Sequence, residues 1–171
     1  MKKIDTLLTA LPLREDQKER LKQLLPDTEI IFRGYMKAER EEVLKADVIF
    51  GNVNPEYIAG AEKLKWVQLA TAGSDTYAPV IPPGVLLTNC TGAYGPAISE
   101  YMLAVLLSLL KRLPQYYENQ MKGLWKYAGT VGAIENSVCL VVGLGDIGGS
   151  FARKMKALGA YTIGVRRRDM R

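Results

Sequence analysis

Short apolar runs alternate with amphipathic ones through the first half of the chain. Ile4 to Thr9 predicts a strand. Arg14 to Leu25 predicts a helix with Leu21, Leu24 and Leu25 on its buried face and charges elsewhere. Glu29 to Phe32 is a second strand. Val43 to Ala46 closes a short helix leading into a third strand, Asp47-Val48-Ile49-Phe50. Leu64 to Ala70 and Val85 to Asn89 supply a fourth and a fifth. Strands at this spacing, with helical patterns between them, imply right-handed βαβ units and a parallel sheet.

The rhythm then changes. Pro96 stands where the first turn of a helix tolerates it. Ile98, Tyr101, Met102, Val105, Leu106, Leu109 and Leu110 follow at helical spacing, and Leu103 and Leu107 widen the stripe. Such a helix is expected to be buried on most sides, as a spine between two domains. Gln115 to Lys122 is a further helical piece. Val138 to Val142 is a fully apolar strand, and Ile147, Phe151, Met155 and Leu158 mark a helix that Gly159 ends. Tyr161 to Val165 is the next strand. Two strands and one helix cannot bury both faces of a sheet, and an open α/β sheet wants more strands. The expectation is therefore a piece of a longer protein, with one domain over residues 1–95 and another over 96–171.

Composition narrows the chemistry. The chain has 171 residues, 48% hydrophobic and 24% charged, enough for a real core. It contains no histidine, so it offers no imidazole acid or base and no histidine metal ligand, and no metal site is expected. Cys90 and Cys139 follow no CxxC spacing and are expected as buried thiols in a reducing compartment. The formal net charge is +5, but the basic residues are scattered except at Arg166-Arg167-Arg168 and Arg171. A nucleic-acid partner is not expected from that distribution. The run from Thr6 to Pro12 is too short for a signal segment, and Tyr101 to Leu110 is too short to cross a bilayer. The expected setting is the cytoplasm, with no membrane partner.

Two segments carry candidate chemistry. Gly143-Leu144-Gly145-Asp146-Ile147-Gly148 follows an apolar strand and opens an amphipathic helix, the context that a dinucleotide fingerprint requires. Gly143 suits the tight turn, Gly145 lets backbone approach a pyrophosphate, and Gly148 lets helix and strand pack closely. An NAD site usually has an acid about 20 residues further on, to hold the ribose 2′-hydroxyl. Here that place reads Val165-Arg166-Arg167-Arg168, with no acid between Gly148 and Asp169. Arginine forks suit a 2′-phosphate, which favours NADP over NAD, although NAD stays open. The second segment is Thr71-Ala72-Gly73-Ser74-Asp75, at the carboxyl end of the fourth strand, where successive N–H groups around a glycine make a nest for a carboxylate. Gly51-Asn52-Val53-Asn54 is its expected neighbour, and Asn52 joins Ala72, Gly73 and Ser74 as a candidate substrate contact. Each of these turns also reads as an ordinary βα connection.

Together the motifs make a more specific pattern. The chain resembles the N-terminal part of the D-isomer-specific 2-hydroxyacid dehydrogenases, the group of glyoxylate/hydroxypyruvate reductases and phosphoglycerate dehydrogenases. The resemblance rests on Trp66-Val67-Gln68 through Ala72-Gly73-Ser74-Asp75, and on Thr88-Asn89-Cys90-Thr91-Gly92 running into Ile98-Ser99-Glu100-Tyr101-Met102. Lys122-Gly123-Leu124-Trp125 and the glycine motif with Lys156-Ala157-Leu158-Gly159 complete it. It implies an α/β chain: a flavodoxin-like parallel-sheet substrate domain, followed by the first part of a Rossmann NAD(P)-binding domain. It implies that backbone groups at Ala72, Gly73 and Ser74 bind the carboxylate of a small 2-oxo or 2-hydroxy acid. It implies that Met102 lines the nicotinamide pocket and that Asp146 and Ile147 touch the pyrophosphate. A homodimer through the nucleotide domain is also implied. The family's catalytic Arg, Glu and His come later in the nucleotide domain and none is placed in this chain, so the chain alone is expected to be inactive. Relatives that serve as corepressors leave a dinucleotide-sensing module as the alternative. A methyltransferase reading of the glycine loop would also want an acid after the second strand, and that acid is absent.

Overall fold

A computed structural model of the protein describes residues 4–167. It divides into two compact units, Met1–Thr91 and Gly92–Arg171. The division falls earlier than the expected one at residue 95. The local reason is a hydrogen bond: the Gly95 N–H, at the head of a helix, donates to Asp146 Oδ2 at 2.9 Å, which ties residues 95 onward to the second unit.

In the first unit the elements are β1 (Thr6–Ala10), α1 (Glu15–Leu24), β2 (Glu29–Arg33), α2 (Arg40–Lys45), β3 (Val48–Gly51), β4 (Trp66–Gln68) and β5 (Leu86–Thr88). Short 3-10 turns lie over Pro55–Tyr57 and Ala78–Val80. All five strands are parallel, in the order β2-β1-β3-β4-β5, the flavodoxin-like arrangement. All five residues of β1 are buried, because a strand this near the middle is covered on both faces. Its Leu8 pairs with Ile31 and Ile49 and forms the core with Val43, Ile58, Val67 and Leu69. The β4–β5 edge is wetter: Trp66 of β4 and Leu86 of β5 are exposed, and the Trp66 indole N–H donates to Thr88 Oγ1 at 2.7 Å. The expected buried face of α1 is only partly there. Leu21 and Leu25 are half-buried, whereas Leu24 is 65% exposed and no residue of the helix is fully buried. The helix meets the sheet along a narrow stripe, and its outer face carries the ion pairs Lys18–Glu15 and Lys22–Glu19.

Asp47 joins the amino ends of three strands. Its Oδ2 accepts the N–H groups of Asp5 and Thr6, both at 2.9 Å, and its Oδ1 accepts Lys65 Nζ at 2.6 Å.

The second unit contains α3 (Gly95–Leu110), α4 (Leu113–Met121), β6 (Val138–Val142), α5 (Asp146–Ala157) and β7 (Tyr161–Val165). The last three form one βαβ unit, with β6 and β7 parallel and Val142 opposite Val165. Phe151 and Met155 of α5 pack with Ile134, Val141 and Ala160. The partners from α3 are Leu103, Leu106, Leu107 and Leu110. This corrects the expectation that α3 is buried on most sides. Gly95 and Ser99 are its only buried residues, while Tyr101 is 71% exposed and Leu109 65%. The helix carries two overlapping apolar stripes, and packing on α5 uses only one. On the sheet, Val138, Leu140, Val142, Tyr161, Ile163 and Val165 are exposed, since alternate residues point away from α5. Both cysteines are free, and half-buried rather than buried as expected. Among the described residues no helix is long and apolar enough to cross a membrane.

Candidate functional site

The strand–turn–helix of the second unit has the geometry expected of the glycine motif. Gly143 takes φ +98°, a conformation that L side chains rarely adopt, and so turns the chain at the end of β6. A Cβ on Gly148 would overlap the Gly143 carbonyl oxygen and press on Val141 Cγ1, so only glycine lets α5 start this close to the strand. A Cβ on Gly145 would meet nothing, which leaves open space over the amino end of α5. The first N–H groups of that helix have no carbonyl of their own turn to bond, and the helix dipole favours an anion there.

Two hollows adjoin this turn, and Gly143 lines both. One, of about 410 Å³, is lined by Gly143, Leu144, Gly145, Arg166 and Arg167. The other, of about 370 Å³, is lined by Met102, Gly143, Ile147, Gly148 and residues of β6 with Phe151. The structure thus brings Arg166 and Arg167 to the outer side of the glycine turn, and Met102 and Ile147 to the other. Both arginines are exposed, and neither has an ion pair among the described residues. Arg168 lies outside the described residues. The diphosphate of a dinucleotide fits this donor set: free helix N–H groups and a turn without side chains, with two guanidinium groups beside it.

Asp146 keeps its backbone N–H at the head of α5, while its side chain takes a separate structural part. Its carboxylate accepts the Gly95 N–H, the first donor of α3, and so turns toward that helix. Its side chain caps α3, and only its backbone N–H remains for a phosphate. Gly95 is the residue that the motif reading missed: a Cβ there would overlap Asp146 Oδ1. A Gly-Pro pair at a helix start is a visible signal, but its partner 51 residues later is not.

In the first unit, Ala72, Gly73 and Ser74 follow β4, and Asn52 follows β3, at the carboxyl ends of neighbouring strands. Ala72 and Gly73 are exposed and Ser74 half-buried. The N–H groups of Ala72, Gly73 and Ser74 make no hydrogen bond among the described residues. Asn52 is not the direct substrate contact expected of it. It is 2% exposed, its Oδ1 accepts the Ala70 N–H at 2.9 Å, and its Nδ2 donates to Thr71 Oγ1 at 3.1 Å. Asn89, after β5, donates from Nδ2 to the Ala72 carbonyl at 2.7 Å. Tyr77 is buried and donates its hydroxyl to the Val53 carbonyl at 2.7 Å, and burial pushes that phenol above its ordinary pKa. Thr71 and Asn89 stand in the quoted motifs without a role of their own, and Tyr77 carries no sequence signal. The strand order made Asn89 findable, because it follows the strand beside β4. No group of three or more His, Cys, Asp or Glu able to hold a metal occurs among the described residues.

Comparison with known proteins places these features in a family setting. Residues 103–171 match the family model described as D-isomer specific 2-hydroxyacid dehydrogenase, NAD binding domain. The D-3-phosphoglycerate dehydrogenase of Methanocaldococcus jannaschii is 28% identical over 166 residues, covering 92% of this chain and 31% of that protein. The D-3-phosphoglycerate dehydrogenase of Mycobacterium tuberculosis is 32% identical over 114 residues, covering 65% of this chain and 22% of that protein. A D-isomer specific 2-hydroxyacid dehydrogenase family protein from Aeromonas salmonicida superposes with a TM-score of 0.77 at 29% identity, over 96% of this chain and 55% of that one. The chain therefore spans less than a third of the curated relatives' length and about half of the solved one.

Proposed function

The chain is a relative of the D-isomer specific 2-hydroxyacid dehydrogenases, and from that premise we propose that it carries two binding surfaces of an NADPH-dependent reductase of small 2-oxo acids, such as glyoxylate or hydroxypyruvate. The dinucleotide belongs to the second unit. The N–H groups at the head of α5 hold its diphosphate, Gly145 leaves room for it, and Arg166 and Arg167, with Arg168 following, hold the 2′-phosphate. Met102 and Ile147 offer an apolar wall for the nicotinamide end. Such a cofactor supplies the hydride that converts a keto carbon to a hydroxyl. The N–H groups of Ala72, Gly73 and Ser74 hold the substrate carboxylate. With no histidine in the chain, the family's proton-donating imidazole is not supplied by these residues. Pairing of two chains through the second unit, in a cytoplasmic setting, completes the proposal.

The observation that carries this reading is the shared hollow of Gly143, Gly145, Arg166 and Arg167. An acid in that hollow would accept a 2′-hydroxyl and repel a 2′-phosphate; two arginines do the opposite. The test is to titrate the purified chain with NADPH and with NADH, following nicotinamide fluorescence. NADPH is expected to bind about 5-fold more tightly for each arginine that stays exposed. Where the ligand shields the contact, the expectation rises to about 10- to 150-fold. Arg166→Asp lowers the preference by at least one arginine's share. Equal binding of the two cofactors, or a preference undiminished by Arg166→Asp, overturns the NADPH reading.

A further inference from the structure

We propose that Thr71 and Asn89 are positioning residues that aim the N–H groups of Ser74 and Gly73 by holding the carbonyl at the other end of each of those peptides, and that Asn52 directs the Thr71 hydroxyl to its carbonyl. The inference rests on the reading of this loop as a carboxylate seat and adds how the seat is built.

The geometry of the peptide group carries the argument. In a trans peptide, the carbonyl of one residue and the N–H of the next lie in one rigid plane and point in opposite directions. The N–H of Ala72 therefore shares a plane with the Thr71 carbonyl, that of Gly73 with the Ala72 carbonyl, and that of Ser74 with the Gly73 carbonyl. All three carbonyls are held. The Thr71 carbonyl accepts the Cys90 N–H at 3.0 Å. The Ala72 carbonyl accepts Asn89 Nδ2 at 2.7 Å. The Gly73 carbonyl accepts the Thr71 hydroxyl at 3.0 Å. Fixing each acceptor fixes the opposite donor, and those donors make no hydrogen bond among the described residues. In a loop built around an exposed glycine, the peptide planes would otherwise be free to turn.

The direction of each bond is also determined. Asn52 Oδ1 accepts the Ala70 N–H, so its amide nitrogen faces Thr71. The Thr71 hydroxyl must then accept from that nitrogen, which leaves its single proton for the Gly73 carbonyl. Asn89 is oriented in the same way, since its Oδ1 accepts the Thr91 N–H at 3.2 Å and leaves its Nδ2 for Ala72. A bonded carbonyl also polarises its own peptide and makes the N–H a stronger donor. The loop is thereby set to meet two carboxylate oxygens without reorganising.

The test uses the whole chain labelled with ¹⁵N and oxamate, an unreactive 2-oxo acid analogue. Amide signals at 72–74 are expected to shift on titration. Thr71→Val is expected to weaken oxamate roughly fivefold, the loss of about one hydrogen bond, with the largest loss of response at Ser74. Asn89→Ala places its largest loss at Gly73. Thr71→Ser, which keeps the hydroxyl, restores the wild-type response. General loosening of the fold would move all three signals together and would not be rescued by serine. Unchanged oxamate affinity and response in Thr71→Val and Asn89→Ala overturns the inference. Should the wild-type chain give no shift at 72–74, the carboxylate reading falls, and ¹⁵N relaxation of the free chain decides the positioning claim. Added motion confined to Ser74 in Thr71→Val and to Gly73 in Asn89→Ala supports it, and unchanged relaxation rejects it.

Discussion

Two glycines of one motif separate folding from binding. Gly148 packs against the Gly143 carbonyl, and a methyl group there forces helix and strand apart. Gly148→Ala is expected to destabilise the second unit by about 1–3 kcal/mol, the usual range for overpacking, and to lose dinucleotide binding with it. Gly145 is different. It is the N-cap of α5 at φ −77°, and its added Cβ would stand in open space. Gly145→Ala is expected to change stability by less than about 1 kcal/mol. It should still weaken the dinucleotide at least roughly tenfold, because the methyl group stands where the diphosphate would approach. Thermal melts beside cofactor titrations check both. Two variants that fell together in stability would show that the turn is structural alone.

The amino ends of β1, β3 and β4 depend on one carboxylate. Burial raises the Asp47 pKa, but hydrogen bonds from Lys65 and from the Thr6 and Asp5 N–H groups outweigh it and hold the carboxyl below its ordinary value. A carboxyl with a lower pKa folded than unfolded contributes stability that is fully present above the unfolded value. That contribution disappears as pH falls through the folded one. Urea midpoints are therefore expected to hold steady above about pH 5 and to decline below about pH 4. Asp47→Asn should flatten this acid limb and lower stability at neutral pH by about 1.5–3 kcal/mol, the range for a hydrogen bond to a charged group. An acid limb unchanged by Asp47→Asn would place the dependence elsewhere. The two apolar stripes of α3 raise a different question for that element: Leu103, Leu106, Leu107 and Leu110 pack, while Tyr101, Met102, Val105 and Leu109 stay exposed. Leu107→Ala should cost about 1–2 kcal/mol, as the side chain is only partly buried, and Leu109→Ala within about 0.5 kcal/mol.

For the molecule as a whole, the second unit exposes Tyr117, Met121, Leu124, Trp125 and Tyr127 close together in sequence. Trp125 is fully exposed, and Leu124, Trp125 and Tyr127 line one hollow, so the proposed pairing gives these apolar side chains a partner to cover them. Concentration-dependent association is expected in sedimentation, weakened by Trp125→Ser. A monomer at every concentration would count against the proposed pairing. The same chain is expected to bind a dinucleotide without turning over glyoxylate or hydroxypyruvate. Hydride transfer to a keto carbon needs a proton donor, and the family's imidazole is missing from its composition. Steady NADPH oxidation by the purified chain would overturn that expectation.

Periodicity and glycine chemistry are local properties, and they were readable. The spacing of apolar runs determined seven strands, their parallel sense and the βαβ unit, and Val138–Val142 and Tyr161–Val165 fall where the pattern put them. Gly143 and Gly148 were legible because only a residue without a Cβ can meet the demands of that turn. What tertiary structure decided is which of several competent groups finds a partner. The pattern on α3 offered two stripes, and the shape of α5 chose one. Asp146 reads from its place in the motif as a residue that touches a phosphate, but that its carboxylate also caps a helix start 51 residues earlier is visible only in the fold. Asn52 looked like a ligand for substrate, yet Ala70 and Thr71 occupy both ends of its amide. A side chain's chemistry is written in the sequence, but its direction is set by donors and acceptors that only the folded chain brings within 3 Å or so.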